Sequence, residues 1–173
     1  MDKRRLQNRF ALRDVTTKVF IYALALLHLQ GCSVVSILNP WSSDNSVAQL
    51  TLIALPNANQ RYSVAVDIVF VWDADLAVPL NELTAQQWFS RKQDYQRAYP
   101  DSLKIIHSEP MPGHTIRIQS LPDAHSKAKR VIVFANYINQ QLVHRADITT
   151  MNNVRIVLQE TTFSAESEDE LSN

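Results

Sequence analysis

Between Ser63 and Asp73 the chain alternates with a period of two. Val64, Val66, Ile68, Phe70 and Trp72 fall on one side, and Ser63, Ala65, Asp67, Val69, Val71 and Asp73 on the other. Successive strand side chains point to opposite faces, so this stretch reads as a β-strand. Its second side is itself partly apolar, which suits a central strand covered on both faces. Val47–Leu55 is another apolar strand, closed by the turn residues Pro56-Asn57-Ala58-Asn59. Leu103–Ser108 and Thr115–Leu121 flank Pro110-Met111-Pro112-Gly113. Proline presets φ for the first central position of a type II turn, and glycine accepts the positive φ of the second. The spacing therefore predicts a hairpin. Arg130–Ile138 is strongly apolar, Val143–Ile148 less so, and Val154–Phe163 alternates through Val154, Ile156 and Leu158. About seven strands with turn signals between them predict an all-β antiparallel sandwich.

One segment has a helical period instead. From Leu80 to Tyr99 there is no glycine and no proline. Thr84-Ala85-Gln86-Gln87 reads as a capping box, with Gln87 reaching back to the N-cap amide. Trp88, Tyr95 and Tyr99 recur at i, i+7 and i+11, with the Lys92 stem between them. Pro100 stops the helix, and Pro79 separates it from a lead-in turn holding Leu76 and Leu80. One helix, about residues 80–99, is thus inserted between the second and third strands.

The N-terminal segment is of another kind. Residues 1–31 carry a net charge of +4, and residues 32–173 carry −4. The basic stretch runs into 11 uncharged, mostly apolar residues, Val19–Leu29, and then Leu29-Gln30-Gly31-Cys32. A positive region, a short apolar region and a small residue before the cut make a secretory signal peptide over residues 1–31. The 20 residues Val19–Leu38 also lack any charge, so an uncleaved signal anchor is the rival reading. Both place residues 40–173 outside the inner membrane. Residues 32–46 read as a tether, because Asn39–Ser46 is polar and turn-rich. The sandwich then spans 47–163, and residues 164–173 form an acidic tail.

Composition narrows the classes. Lys+Arg and Asp+Glu are equal at 17 each, so no basic excess points to nucleic acid. The single cysteine excludes an intramolecular disulfide framework and a cysteine-rich zinc site. Two glycines cannot build a Gly-rich phosphate loop. No G-x-S-x-G nucleophile elbow occurs. His107 and His114 could face each other across the expected hairpin, but two ligands do not make a metal site. Neither a metal, a cofactor nor catalysis is expected. Asp67 sits mid-strand and reads as solvated; facing inward, it would need a partner such as Arg117 or Arg155. Asp73, Asp75 and Glu82 read as loop and helix-start charge. Trp88 and Phe89 are adjacent on the helix, about 100° apart, so both cannot reach the core equally. One of them, with Arg91 or Arg97, is a candidate exposed anchor for a protein partner.

Leu29-Gln30-Gly31-Cys32 resembles the bacterial lipobox. The resemblance implies cleavage after Gly31 and acyl chains on Cys32 as the new N-terminus, an anchor stable once two or more chains are buried. Ser33, where no aspartate signals inner-membrane retention, then implies the outer membrane. Gln49–Ala54, the apolar strand before the Trp88-Phe89 insertion, Met111-Pro112-Gly113 and Val131–Tyr137 follow in an order similar to one lipoprotein family. This is the outer-membrane lipoprotein of the type VI secretion system, of TssJ or SciN type, and the likeness spans roughly residues 25–160. It implies a transthyretin-like sandwich on the periplasmic face, and binding to the periplasmic domain of a TssM-like inner-membrane component. The longer basic region and the longer segment around Gln86–Pro100 depart from the family pattern. A pilotin-like accessory lipoprotein, and a lipid-anchored enzyme or metal binder, are the alternatives.

Overall fold

The alternating stretch forms β2 (Ala65–Val71), and both of its sides are buried. Val66, Ile68 and Phe70 point into a core between two sheets, while Val69 and Val71 point into a second core beneath two helices. The computed structural model describes residues 45–167. Gly31, Cys32, the signal segment and the tail beyond residue 167 lie outside the described residues.

Two four-stranded sheets pack face to face. The first has the order β4 (Thr115–Arg117), β1 (Gln49–Ala54), β7 (Asn153–Leu158), β8 (Phe163–Ser167). The second has the order β3 (Leu103–Ser108), β2, β5 (Arg130–Asn136), β6 (Arg145–Asp147). Leu50, Leu52, Ile156 and Leu158 of the first sheet meet Ile68, Phe70, Val131 and Val133 of the second in the larger core. The helices α1 (Ala74–Glu82) and α2 (Ala85–Ala98) lie on the outer side of the second sheet, where Leu76, Leu80 and Trp88 cover Val69, Ile132 and Phe134. The sandwich is therefore a transthyretin-like one with a helical layer on one face.

Several elements differ from the sequence expectation. Residues Val154–Phe163 are two strands rather than one, because the chain turns at Gln159–Thr162 and β8 pairs back on β7. β8 (Phe163–Ser167) thus takes in residues 164–167, the first part of the expected tail. β1 and β7 pair in parallel, in register from Gln49↔Asn153 to Ala54↔Leu158, so the first sheet is mixed rather than antiparallel throughout. The turn at Met111–His114 forms as expected: Gly113 has φ +80° and His114 N–H donates to Met111 O. It does not join a hairpin, however, because β3 pairs with β2 and β4 with β1 in the opposite sheet. The single expected helix is two. Thr84 is an N-cap with ψ 161°, extended as a cap must be, and it breaks the helix between α1 and α2. Thr84 Oγ1 accepts from Gln87 N–H and Gln87 Oε1 accepts from Thr84 N–H, which is the predicted capping box.

Candidate partner interface

The residues singled out on α2 separate into a buried set and an exposed set. Trp88 is fully buried, stacked on Phe134 at 5.0 Å and on Tyr95 at 5.9 Å. Its Nε1–H donates to Oδ2 of Asp67 at 2.9 Å. It is a core residue, so the expectation that it offers an exposed anchor is withdrawn. Phe89 is half-buried, with the Lys92 ammonium 5.0 Å over its ring. Arg91 and Arg97 are exposed, and Arg97 pairs with Asp94 on its own helix.

Asp67 is also buried rather than solvated. Oδ2 accepts from Trp88 and from Lys92 Nζ (3.1 Å), and Oδ1 accepts from His107 Nδ1 (2.6 Å). Neither Arg117 nor Arg155 takes part; by strand alternation both point away from the core, on the first sheet. A carboxylate inside a protein is tolerable only when paired and hydrogen-bonded, and this one has a cation and two further donors. The cluster ties β2, β3 and α2 together. His114 sits in the Met111 turn and bonds Pro112 O, away from His107. The two histidines share no site. Among the described residues no group of three metal-ligating side chains gathers, and no helix is long and apolar enough to cross a membrane. Asp73 caps α1 by accepting from Asp75 and Leu76 N–H, the helix-start role expected of it.

A second concentration of features lies at one end of the sandwich. The strand registers bring together the loops 55–64, 109–114, 137–144 and 159–162. Their hub is Asn59, buried, with φ 44°. Asn59 N–H donates to Gln159 O, its Nδ2 donates to Ser63 O, and its Oδ1 accepts from Ile138 N–H. Gln60 and Arg61 also have positive φ, at 56° and 72°. Left-handed backbone costs a residue with a Cβ roughly 1–2 kcal/mol, so three in a row persist only where surrounding bonds hold them. Tyr137 closes the same end, stacked on His144 at 4.5 Å with its hydroxyl donating to Thr162 O. Burial pushes its phenol well above the ordinary value of 10.0.

This braced frame presents apolar side chains to solvent. Tyr62 and Met111 are each 63 % exposed and Ile138 54 %, with Leu55, Leu142 and Val143 also exposed. Tyr62 and Ile138 flank a cleft of about 320 Å³ that Ser63, Glu109 and Tyr137 also line. Contiguous exposed apolar surface marks interaction sites, and Tyr62 and Ile138 share one cleft here. The chain enters at the opposite end, where Ser46 N–H donates to Thr149 O and Asn45 Nδ2 to His125 O. The sequence reading missed this surface. Its residues come from separate loops, and the only local signal was the turn-rich Pro56–Asn59 run.

The fold defines a class, a transthyretin-like β-sandwich with a helical layer on one sheet. Solved structures that share it include proteins of the type VI secretion system. The lipoprotein TssJ1 of Pseudomonas aeruginosa matches with a TM-score of 0.55 at 16 % identity, over 73 % of this chain and 98 % of that one. A chain of a type VI membrane complex matches at 0.52 and 16 % identity, over 68 % of this chain and 95 % of its own. A chain in a structure of the TssM C-terminal domain from EAEC matches with the same figures. No protein-family model and no curated protein matches the sequence.

Proposed function

We propose that this chain is a non-enzymatic, lipid-anchored subunit of a type VI secretion envelope complex. It binds the periplasmic domain of a TssM-like inner-membrane protein and links it to the outer membrane. The observation that carries this reading is the shared fold, together with an apolar end placed opposite the point where the anchored chain enters. Leu29-Gln30-Gly31-Cys32 supplies the lipid signal, with Cys32 the acylated residue. The anchored chain joins the sandwich at the end opposite Tyr62, Met111 and Ile138, which leaves those side chains open to a partner rising from the inner membrane. Apolar side chains on a pre-braced rim lose little conformational entropy on docking, which favours affinity. Phe89, Arg91 and Arg97 on α2 form a secondary contact at most, since Trp88 lies beneath them in the core.

Intact mass and membrane fractionation test the anchor. The wild type is expected as a cleaved, acylated species in the outer-membrane fraction, and Cys32→Ala as a species without acyl mass that leaves that fraction. Full-length protein retained in the inner membrane for both would establish a signal anchor and remove the lipoprotein reading.

A further inference from the structure

Both helices cover the second sheet, and among the described residues no helix covers the outer face of the first. One row crosses that face on four strands. Arg117 of β4 pairs with Thr51 of β1, Thr51 with Arg155 of β7, and Arg155 with Glu166 of β8. Their inward neighbours Leu52, Ile116, Ile156 and Ala165 lie in or against the core, so these four side chains point out. Neither Arg117 nor Arg155 has a side-chain hydrogen bond or ion pair among the described residues. Glu166 stands opposite Arg155 but takes its hydrogen bond from Ser164 Oγ at 3.0 Å. The other outward strand residues are uncharged. A polar cleft of about 440 Å³, lined by Gln49, Gln119 and His125, opens beside Arg117.

We propose that this row is a docking surface for an acidic, extended segment of a partner protein. The occupant is defined by charge. Two guanidinium groups without a partner among the described residues flank Thr51, and each fork can donate two parallel hydrogen bonds to a carboxylate. Two strand spacings separate the arginine backbones by about 10 Å. Carboxylates three residues apart on a polyproline II segment, the extended form with three residues per turn, share one face and span about 9 Å. A segment with that spacing, crossing the strands, meets both arginines, with Thr51 between them. The surface lies on a side of the sandwich rather than at its apolar end, so its failure leaves the proposed function standing.

The test uses the full chain in detergent and a fluorescent, capped peptide of serine and threonine with two glutamates three residues apart. A glutamine version of the peptide is the control. Anisotropy at low salt is expected to show binding of the glutamate peptide alone. Arg117→Glu with Arg155→Glu weakens it at least tenfold with an unchanged melting temperature, while Lys104→Glu with Lys129→Glu, exposed at the second sheet, changes it less than twofold. Equal weakening by that second pair would reduce the effect to net charge and overturn the proposal. No binding would overturn it too. The chain ending at Ser167 is expected to bind like the full chain. A tenfold gain on that truncation would assign the surface to the protein's own Glu168–Glu170 segment and not to a partner.

Discussion

Asp67 shows what a single buried carboxylate does in this fold. It joins β2 to α2 through Trp88 and Lys92, and to β3 through His107. Removing the charge leaves Lys92 facing a neutral group, and breaking a buried pair in this way costs on the order of 3 kcal/mol. Asp67→Asn is therefore expected to lower the unfolding midpoint in urea by that equivalent, with an unchanged slope. A loss below about 0.5 kcal/mol is what a solvated surface carboxylate would give. The sequence alone favoured solvation because its partners stand 21, 25 and 40 positions away, and no local pattern joins them. Tyr137 makes a claim with a sign. Its phenol is raised by burial, so the folded state holds the proton more tightly than the unfolded state. That stability is intact below the unfolded value of 10.0 and is lost as pH rises above it, by up to about 1.4 kcal/mol per pH unit. Unfolding free energies measured from pH 8 to 11 are expected to fall more steeply for the wild type than for Tyr137→Phe. Equal slopes would mean that the phenol ionises as freely in the folded protein as in the unfolded one.

At the scale of elements, the signals that act over a few residues could be read and those that act across the fold could not. Val64–Trp72 marks β2 because a strand buried on both sides reads as a short, nearly continuous apolar run. The Thr84–Gln87 box marks the start of α2 because the two bonds close within one turn. Thr84→Ala removes the acceptor for Gln87 N–H and is expected to cost about 1 kcal/mol. Amide exchange should quicken in the first turn of α2 and not in α1, and an effect spread evenly over both helices would contradict a local cap. The Pro112-Gly113 turn was legible as a turn, yet the sequence does not say which sheet each flanking strand joins. Turn chemistry fixes the direction of the chain and not the distant partner of a strand. The parallel pairing of β1 with β7 is of the same kind. It spans about a hundred residues, and hydrophobic pattern alone does not choose between parallel and antiparallel neighbours.

For the whole molecule, the two ends of the sandwich have different characters. Asn45 and Ser46 are bonded into the loops of His125 and Thr149 at the end where the chain arrives. The other end, centred on Asn59, holds strained backbone in place and exposes Tyr62, Met111 and Ile138. The sandwich class was legible in the sequence, whereas the apolar end was not, because only the folded registers bring its four loops together. The central claim is that this apolar end captures a TssM-like partner. Its most direct measurement is isothermal calorimetry of the chain in detergent against the periplasmic domain of the TssM-like protein from the same organism. The account predicts micromolar or tighter binding with a negative heat-capacity change, as burial of apolar surface requires. Tyr62→Asp with Ile138→Asp should weaken it at least tenfold without lowering the melting temperature. No binding, or binding untouched by that pair of substitutions, would contradict the account.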